Sequence, residues 1–139
     1  MVHKFERRRL EEALLNSARL SDLTPAQVHD LAALFELRSF PKGESILHQG
    51  AAGQTLLVTV EGELEVVNTR TDGSRKILTR RAVGDVVGEF GWKRSARRKA
   101  SVVAASAVKV LLVRRERLLE LAEEDGGRFG SLLEALDKL

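Results

Sequence analysis

The chain has 139 residues, 43% of them apolar and 31% charged, which fits one folded, soluble domain and excludes disordered and fibrous classes. It contains no cysteine, so disulfide frameworks, thiolate metal sites and cysteine nucleophiles are excluded, and a reducing compartment, with cytoplasmic location, is the expectation. Basic residues outnumber acidic ones by 23 to 20, for a net charge of +3, too small an excess to argue for nucleic acid by itself.

Along the chain, residues 4–18 read as a charged helix, with Leu10, Leu14 and Ala18 at helical spacing. Thr24-Pro25-Ala26-Gln27 is a capping box with proline at the first helical position. Val28, Leu31, Ala32 and Phe35 then fall at i, i+3, i+4 and i+7, which predicts an amphipathic second helix ending before the turn Pro41-Lys42-Gly43.

From Leu37 to Val113 the texture is that of short strands. Leu56–Val60 is β-rich and stops at Glu61-Gly62, and Leu64, Val66 and Asn68 alternate with Glu65, Val67 and Thr69. Thr71-Asp72-Gly73-Ser74 is a hairpin signal leading into Arg75–Arg80. Ala100–Ala105 and Ala107–Val113 complete the run, and strands so spaced without intervening helices imply an antiparallel roll or barrel. Helical spacing returns over Arg114–Asp125, closed by Gly126-Gly127, and again at Phe129, Leu132, Leu133 and Leu136. The expected organisation is a single α+β domain over 1–139: helices over 1–36, β structure over 37–113, helices over 114–139.

Enzymatic chemistry finds no carrier. His3, His29 and His48 share no metal-ligand spacing, and there is no nucleophile elbow, Walker loop or dinucleotide fingerprint. No apolar run approaches the ~20 residues of a membrane span. No catalysis, metal or cofactor is expected.

The segment from Gly84 to Val102 departs from ordinary punctuation. It interrupts the β region with Gly84, Gly88 and Gly91, the acid Glu89, and the basic cluster Lys93, Arg94, Arg97, Arg98 and Lys99. Glycines allow backbone to approach a ligand closely, exposed N–H groups favour an anion, and a returning arginine can close on it with charge-assisted bonds. A carboxylate beside an anion site is repulsive unless it accepts from hydroxyls. A ligand carrying both a phosphate and a sugar hydroxyl satisfies Glu89 and the arginine together. Trp92 reads as a packing residue on a short helical turn.

These residues resemble the phosphate-binding cassette of the cyclic nucleotide-binding domain, whose pattern is approximately F-G-E-L-x-L-x(5)-R-x-A-[ST]-V. Gly88, Glu89, Arg98, Ala100, Ser101 and Val102 match, with Arg98 nine residues after Glu89. Gly50, Glu61-Gly62 and Gly84-Asp85 match family turn positions. The stretch Phe90-Gly91-Trp92-Lys93 departs from the family's leucine-rich sequence. The resemblance covers roughly residues 20 to 125 and implies a jelly-roll-like antiparallel β-roll of about eight strands between the terminal helices, with the cassette at 84–102.

By resemblance, Glu89 accepts the ribose 2′-hydroxyl and Arg98 pairs with the cyclic phosphate. Backbone around Val87, Gly88, Phe90, Gly91, Lys99 and Ala100 completes the cradle. Ser101 stands where some members place a threonine associated with guanine contact, which leans the ligand toward cAMP with cGMP open. Val66, Leu78 and Thr79 match roll positions flanking the ribose or base. The resemblance further implies an allosteric sensor whose C-terminal helices, with Phe129, Leu132, Leu133 and Leu136 as lid candidates, report to a protein partner or a fused output domain; a homodimer is compatible with it. The competing expectation is an interaction scaffold of the same fold that docks protein partners without a ligand, and the third a nucleic-acid binder centred on Lys93–Lys99.

Overall fold

The computed structural model describes residues 4–17, 20–88 and 97–138. Helix α1 (Lys4–Asn16) and helix α2 (Pro25–Ala32) lead into strands β1 (Glu36–Phe40), β2 (Ser45–Leu47), β3 (Thr55–Glu61), β4 (Leu64–Thr69), β5 (Arg75–Arg81), β6 (Val86–Val87), β7 (Ser101–Ala104) and β8 (Val108–Arg114). Helices α3 (Arg115–Glu124) and α4 (Arg128–Asp137) follow. The strands form two antiparallel four-stranded sheets, ordered β1-β8-β3-β6 and β2-β7-β4-β5. The expected β-roll between terminal helices is therefore present.

The capping box forms as spelled: Gln27 N–H donates to Thr24 Oγ1 at 3.2 Å, and Thr24 N–H donates to Gln27 Oε1 at 2.9 Å. Helix α2 stops at Ala32, earlier than the periodicity predicts. Leu34 and Phe35 donate to the carbonyls three residues back, Leu31 and Ala32, so the last turn tightens and the chain swings toward β1. Phe35 nevertheless stays in the core at 3% exposure. Ala18 lies outside the described residues.

Two apolar layers hold the molecule. Leu10, Leu14, Leu31, Leu118, Leu132 and Leu136 from the helices pack with Leu56, Val58, Val60, Leu111 and Val113 of the first sheet. Leu57, Val87, Val108, Val110 and Leu112 of that sheet pack with Leu47, Leu64, Val102 and Ala104 of the second. Strands β3 and β8 are thus covered on both faces, the physical reason apolar residues stand at consecutive positions in them, Leu56–Val58 and Val110–Val113, and do not alternate with polar ones. In β4 the alternation holds for Leu64, buried between the sheets, yet Val67 on the opposite face is also buried, at 4% exposure.

Each end of α4 is tied by an ion pair. Arg115 at the start of α3 donates from Nε and Nη2 to the two carboxylate oxygens of Asp137, at 3.2 and 2.6 Å, a bidentate fork. Arg128 donates to Asp30 of α2 at 2.7 Å. No helix among the described residues is long and apolar enough to cross a membrane.

Candidate functional site

The sequence-predicted cassette leaves the roll after β6 and returns at β7. At its departure, Val87 is buried and pairs with Leu57. Gly88 has φ +97°, and a Cβ on it would stand 2.1 Å from the carbonyl oxygen of Thr55. Only glycine supplies both that left-handed conformation and that close approach to β3. Glu89, Phe90 and Gly91, together with Trp92, Lys93 and Arg94, lie outside the described residues.

At its return, the cassette is stitched to the β2–β3 loop. Gly50 N–H donates to the Arg98 carbonyl at 2.7 Å, Arg98 N–H donates to the Ala51 carbonyl at 3.0 Å, and Arg97 Nη1 donates to the Gly50 carbonyl at 2.7 Å. Asn68, near the end of β4, donates from Nδ2 to the Lys99 carbonyl at 2.8 Å. Gln49 pairs with the Thr69 backbone in both directions, accepting from its N–H and donating to its carbonyl, each at 2.8 Å. The Gln49 N–H donates to Ser101 Oγ at 2.8 Å. That hydroxyl is therefore committed as an acceptor, and its own proton remains for a further partner.

The structure thus brings Arg98, Lys99, Ala100 and Ser101 together with the 49–53 loop and the end of β4 at one mouth of the roll. The Arg98 guanidinium is half-buried, and burial holds its pKa below the ordinary arginine value. No salt bridge among the described residues compensates it. A desolvated cation without a carboxylate partner is a site that gains when an anion arrives. A Cβ on Gly53 would stand 3.1 Å from Arg98 Nη1, so the absence of a side chain there gives the guanidinium its place.

Val66 and Thr79 are register partners on β4 and β5, and Val66 packs against the apolar layer between the sheets. Leu78 is set apart. The register shifts between Val66 and Val67, opposite Thr79 and Ile77, so Leu78 occupies a bulge and is 51% exposed. Leu132 and Leu136 are buried in the helical layer, with Phe129 and Leu133 packed against it. No cluster of three or more potential metal ligands occurs among the described residues.

Gln49, Ala51, Gly53 and Asn68 are not part of the motif, and Arg97 stands in the sequence as one member of the basic cluster. One of them had a sequence signal: Asn68 extends the inward series Leu64, Val66, and a polar residue on the inner face of a roll needs a partner there.

Residues 37–125, well over half the chain, match the family described as the cyclic nucleotide-binding domain. The chain is 30% identical over 99 residues to the cyclic AMP receptor protein of Thermus thermophilus, covering 71% of this chain and 46% of that protein. It is 34% identical over 128 residues to a cAMP-dependent protein kinase regulatory subunit of Aspergillus fumigatus, covering 89% of this chain and 30% of the relative. It therefore spans less than half the length of either. The fold superposes on cAMP-bound PfPKA-R (141–441) with a TM-score of 0.79 at 24% identity, over 86% of this chain and 43% of that one. The match runs from the first strand of the roll through helix α3 and takes in every element that carries the stitched arginine, and the chain belongs to the cyclic nucleotide-binding domain family.

Proposed function

We propose that this chain is a non-catalytic cyclic nucleotide receptor module that prefers cAMP, and that its occupancy is signalled through α3 and α4 to a protein partner or a fused output domain. The observation that carries the reading is Arg98: a half-buried guanidinium, uncompensated among the described residues, whose own backbone is held at both its N–H and its carbonyl. Such a group is preorganised for an anion and has already met the cost of desolvation. Glu89, nine residues upstream in sequence, would supply the acceptor that a ribose hydroxyl requires. The family match and the names of the two relatives support the ligand class and the preference for cAMP.

Connectivity supports the signalling part. Helix α3 begins at the residue after β8 ends, and α4 is held by Arg115–Asp137 and Asp30–Arg128. A rearrangement of α4 toward the ligand would exchange these pairs for new contacts, a two-state element of the kind that signalling requires.

Calorimetric titration of wild type and Arg98→Ala with cAMP and cGMP tests the proposal. Wild type should bind cAMP more tightly than cGMP. Removing one partner of a desolvated charge pair should cost about 2–5 kcal/mol. Equal affinity of the two proteins, or no binding by wild type, would sink the reading.

A further inference from the structure

The backbone that carries Arg98 is pinned from one side by the β2–β3 loop, through Gly50 and Ala51, and from the other by a single side chain of the second sheet, Asn68. The two sides meet at adjacent residues. The 49–53 loop holds the amide and carbonyl of Arg98, while the Asn68 amide holds the carbonyl of Lys99. Gln49 ties the same loop to Thr69, the neighbour of Asn68. A closed ring of hydrogen bonds therefore runs from β4 through Lys99 and Arg98 to the loop and back to β4.

A flexible arginine side chain reaches a fixed anion only as accurately as its Cα is placed. Among the hydrogen bonds of this ring between described residues, Asn68 supplies the side-chain donor to the cassette backbone, and it does so from a half-buried position on β4. We infer that Asn68 is a positioning residue for the anion site: by donating to the Lys99 carbonyl it fixes the backbone from which Arg98 projects, without itself meeting the ligand. The inference rests on the ligand-binding reading given above, and its test has one arm independent of that reading.

Asn68→Leu keeps the volume and removes the donor, whereas Asn68→Gln keeps the donor on a longer arm. Two measurements are made on each variant: cAMP affinity by calorimetry, and amide hydrogen exchange of the ligand-free protein at Gly50 and Arg98. Asn68→Leu should bind cAMP roughly three- to tenfold more weakly, the worth of one hydrogen bond. Exchange at the Gly50 and Arg98 amides should rise about tenfold, with protection elsewhere in β4 and β7 unchanged. Asn68→Gln should recover part of both.

Wild-type exchange at Arg98 in Asn68→Leu overturns the inference, whatever the affinity does. Weaker binding with unchanged exchange would make Asn68 a ligand contact, and a rise in exchange throughout the second sheet would make it an ordinary fold residue. If wild type binds neither nucleotide, the receptor reading fails while the exchange arm still decides the role of Asn68.

Discussion

Arg98 and Gly53 stand so close that a single methyl group on the glycine would fall 3.1 Å from Nη1 of the arginine and 3.3 Å from Nη2. The two residues belong to segments on opposite sides of β3 in sequence, and the paired backbones of Gly50, Ala51 and Arg98 bring them together. The glycine is in effect the wall of the guanidinium's berth.

Gly53→Ala should therefore displace the guanidinium, since the clashing atoms are the far end of a flexible side chain. It should also cost some stability, because Gly53 has φ +154°, a conformation that alanine adopts only with strain. Affinity for cAMP should fall about tenfold, the worth of one charge-assisted hydrogen bond. Calorimetry reads this directly; an unchanged affinity would show that Arg98 meets its ligand from another position.

Arg98→Ala should separate stability from function. Burial disfavours the charged guanidinium in the free protein, so removing it should leave the ligand-free melting temperature no lower than that of wild type. Wild type should show a thermal upshift with cAMP, and Arg98→Ala should show none. A clear loss of ligand-free stability would mean that Arg98 has a structural partner.

Gly88→Ala strikes the fold itself. The Cβ would lie 2.1 Å from the Thr55 carbonyl oxygen, at a φ of +97°, and β3 is buried on both faces and cannot retreat. A destabilisation of about 2–3 kcal/mol is expected from strain of this kind, read from urea unfolding. A smaller cost than that of Gly73→Ala, a hairpin glycine with open space around it, would contradict the packing described here.

Asp30 gives a pH dependence with a definite sign. Its hydrogen bond from Arg128 holds the carboxyl below the ordinary aspartate value of 3.8. A depressed carboxyl contributes stability that is present above its unfolded pKa and is lost as pH falls through the native one. Asp30→Asn should therefore be less stable than wild type near neutral pH, and the difference should close as pH drops below about 4. Urea midpoints measured across that range check it; a gap that widens on acidification would refute the pairing.

Asp137→Asn tests the relay. If α4 must leave its fork with Arg115 when ligand binds, weakening that fork lowers the cost of the transition, and cAMP affinity should rise about threefold while ligand-free stability falls. Unaltered affinity would uncouple α4 from the site.

How much of this was legible beforehand differs from element to element. The start of α2 was written in four residues, because a capping box satisfies its own donors locally. Strands β3 and β8 place apolar residues at consecutive positions, Leu56–Val58 and Val110–Val113, because both faces are covered, and the residues from Gly88 to Val102 pointed to the family that the match over 37–125 shows. The bulge at Leu78 was not legible. Nothing in Arg75–Arg81 marks where the pairing with β4 slips, and the slip separates Leu78 from Val66 and Thr79.

Periods and caps within a few neighbours are enough to mark the four helical segments, the strands β3, β4, β5, β7 and β8, and the residue types that gather in the cassette, whereas β1, β2 and β6 carry no separate mark in the sequence. What those residues do to one another depends on contacts between distant parts of the chain. Arg97 spends a donor on Gly50 across 47 residues, Asn68 holds Lys99 across 31, and Ser101 accepts from Gln49 across 52. Separations of that size are set by strand register, and register follows from how the two apolar layers close around β3 and β8, a condition the whole chain meets together and no local stretch encodes.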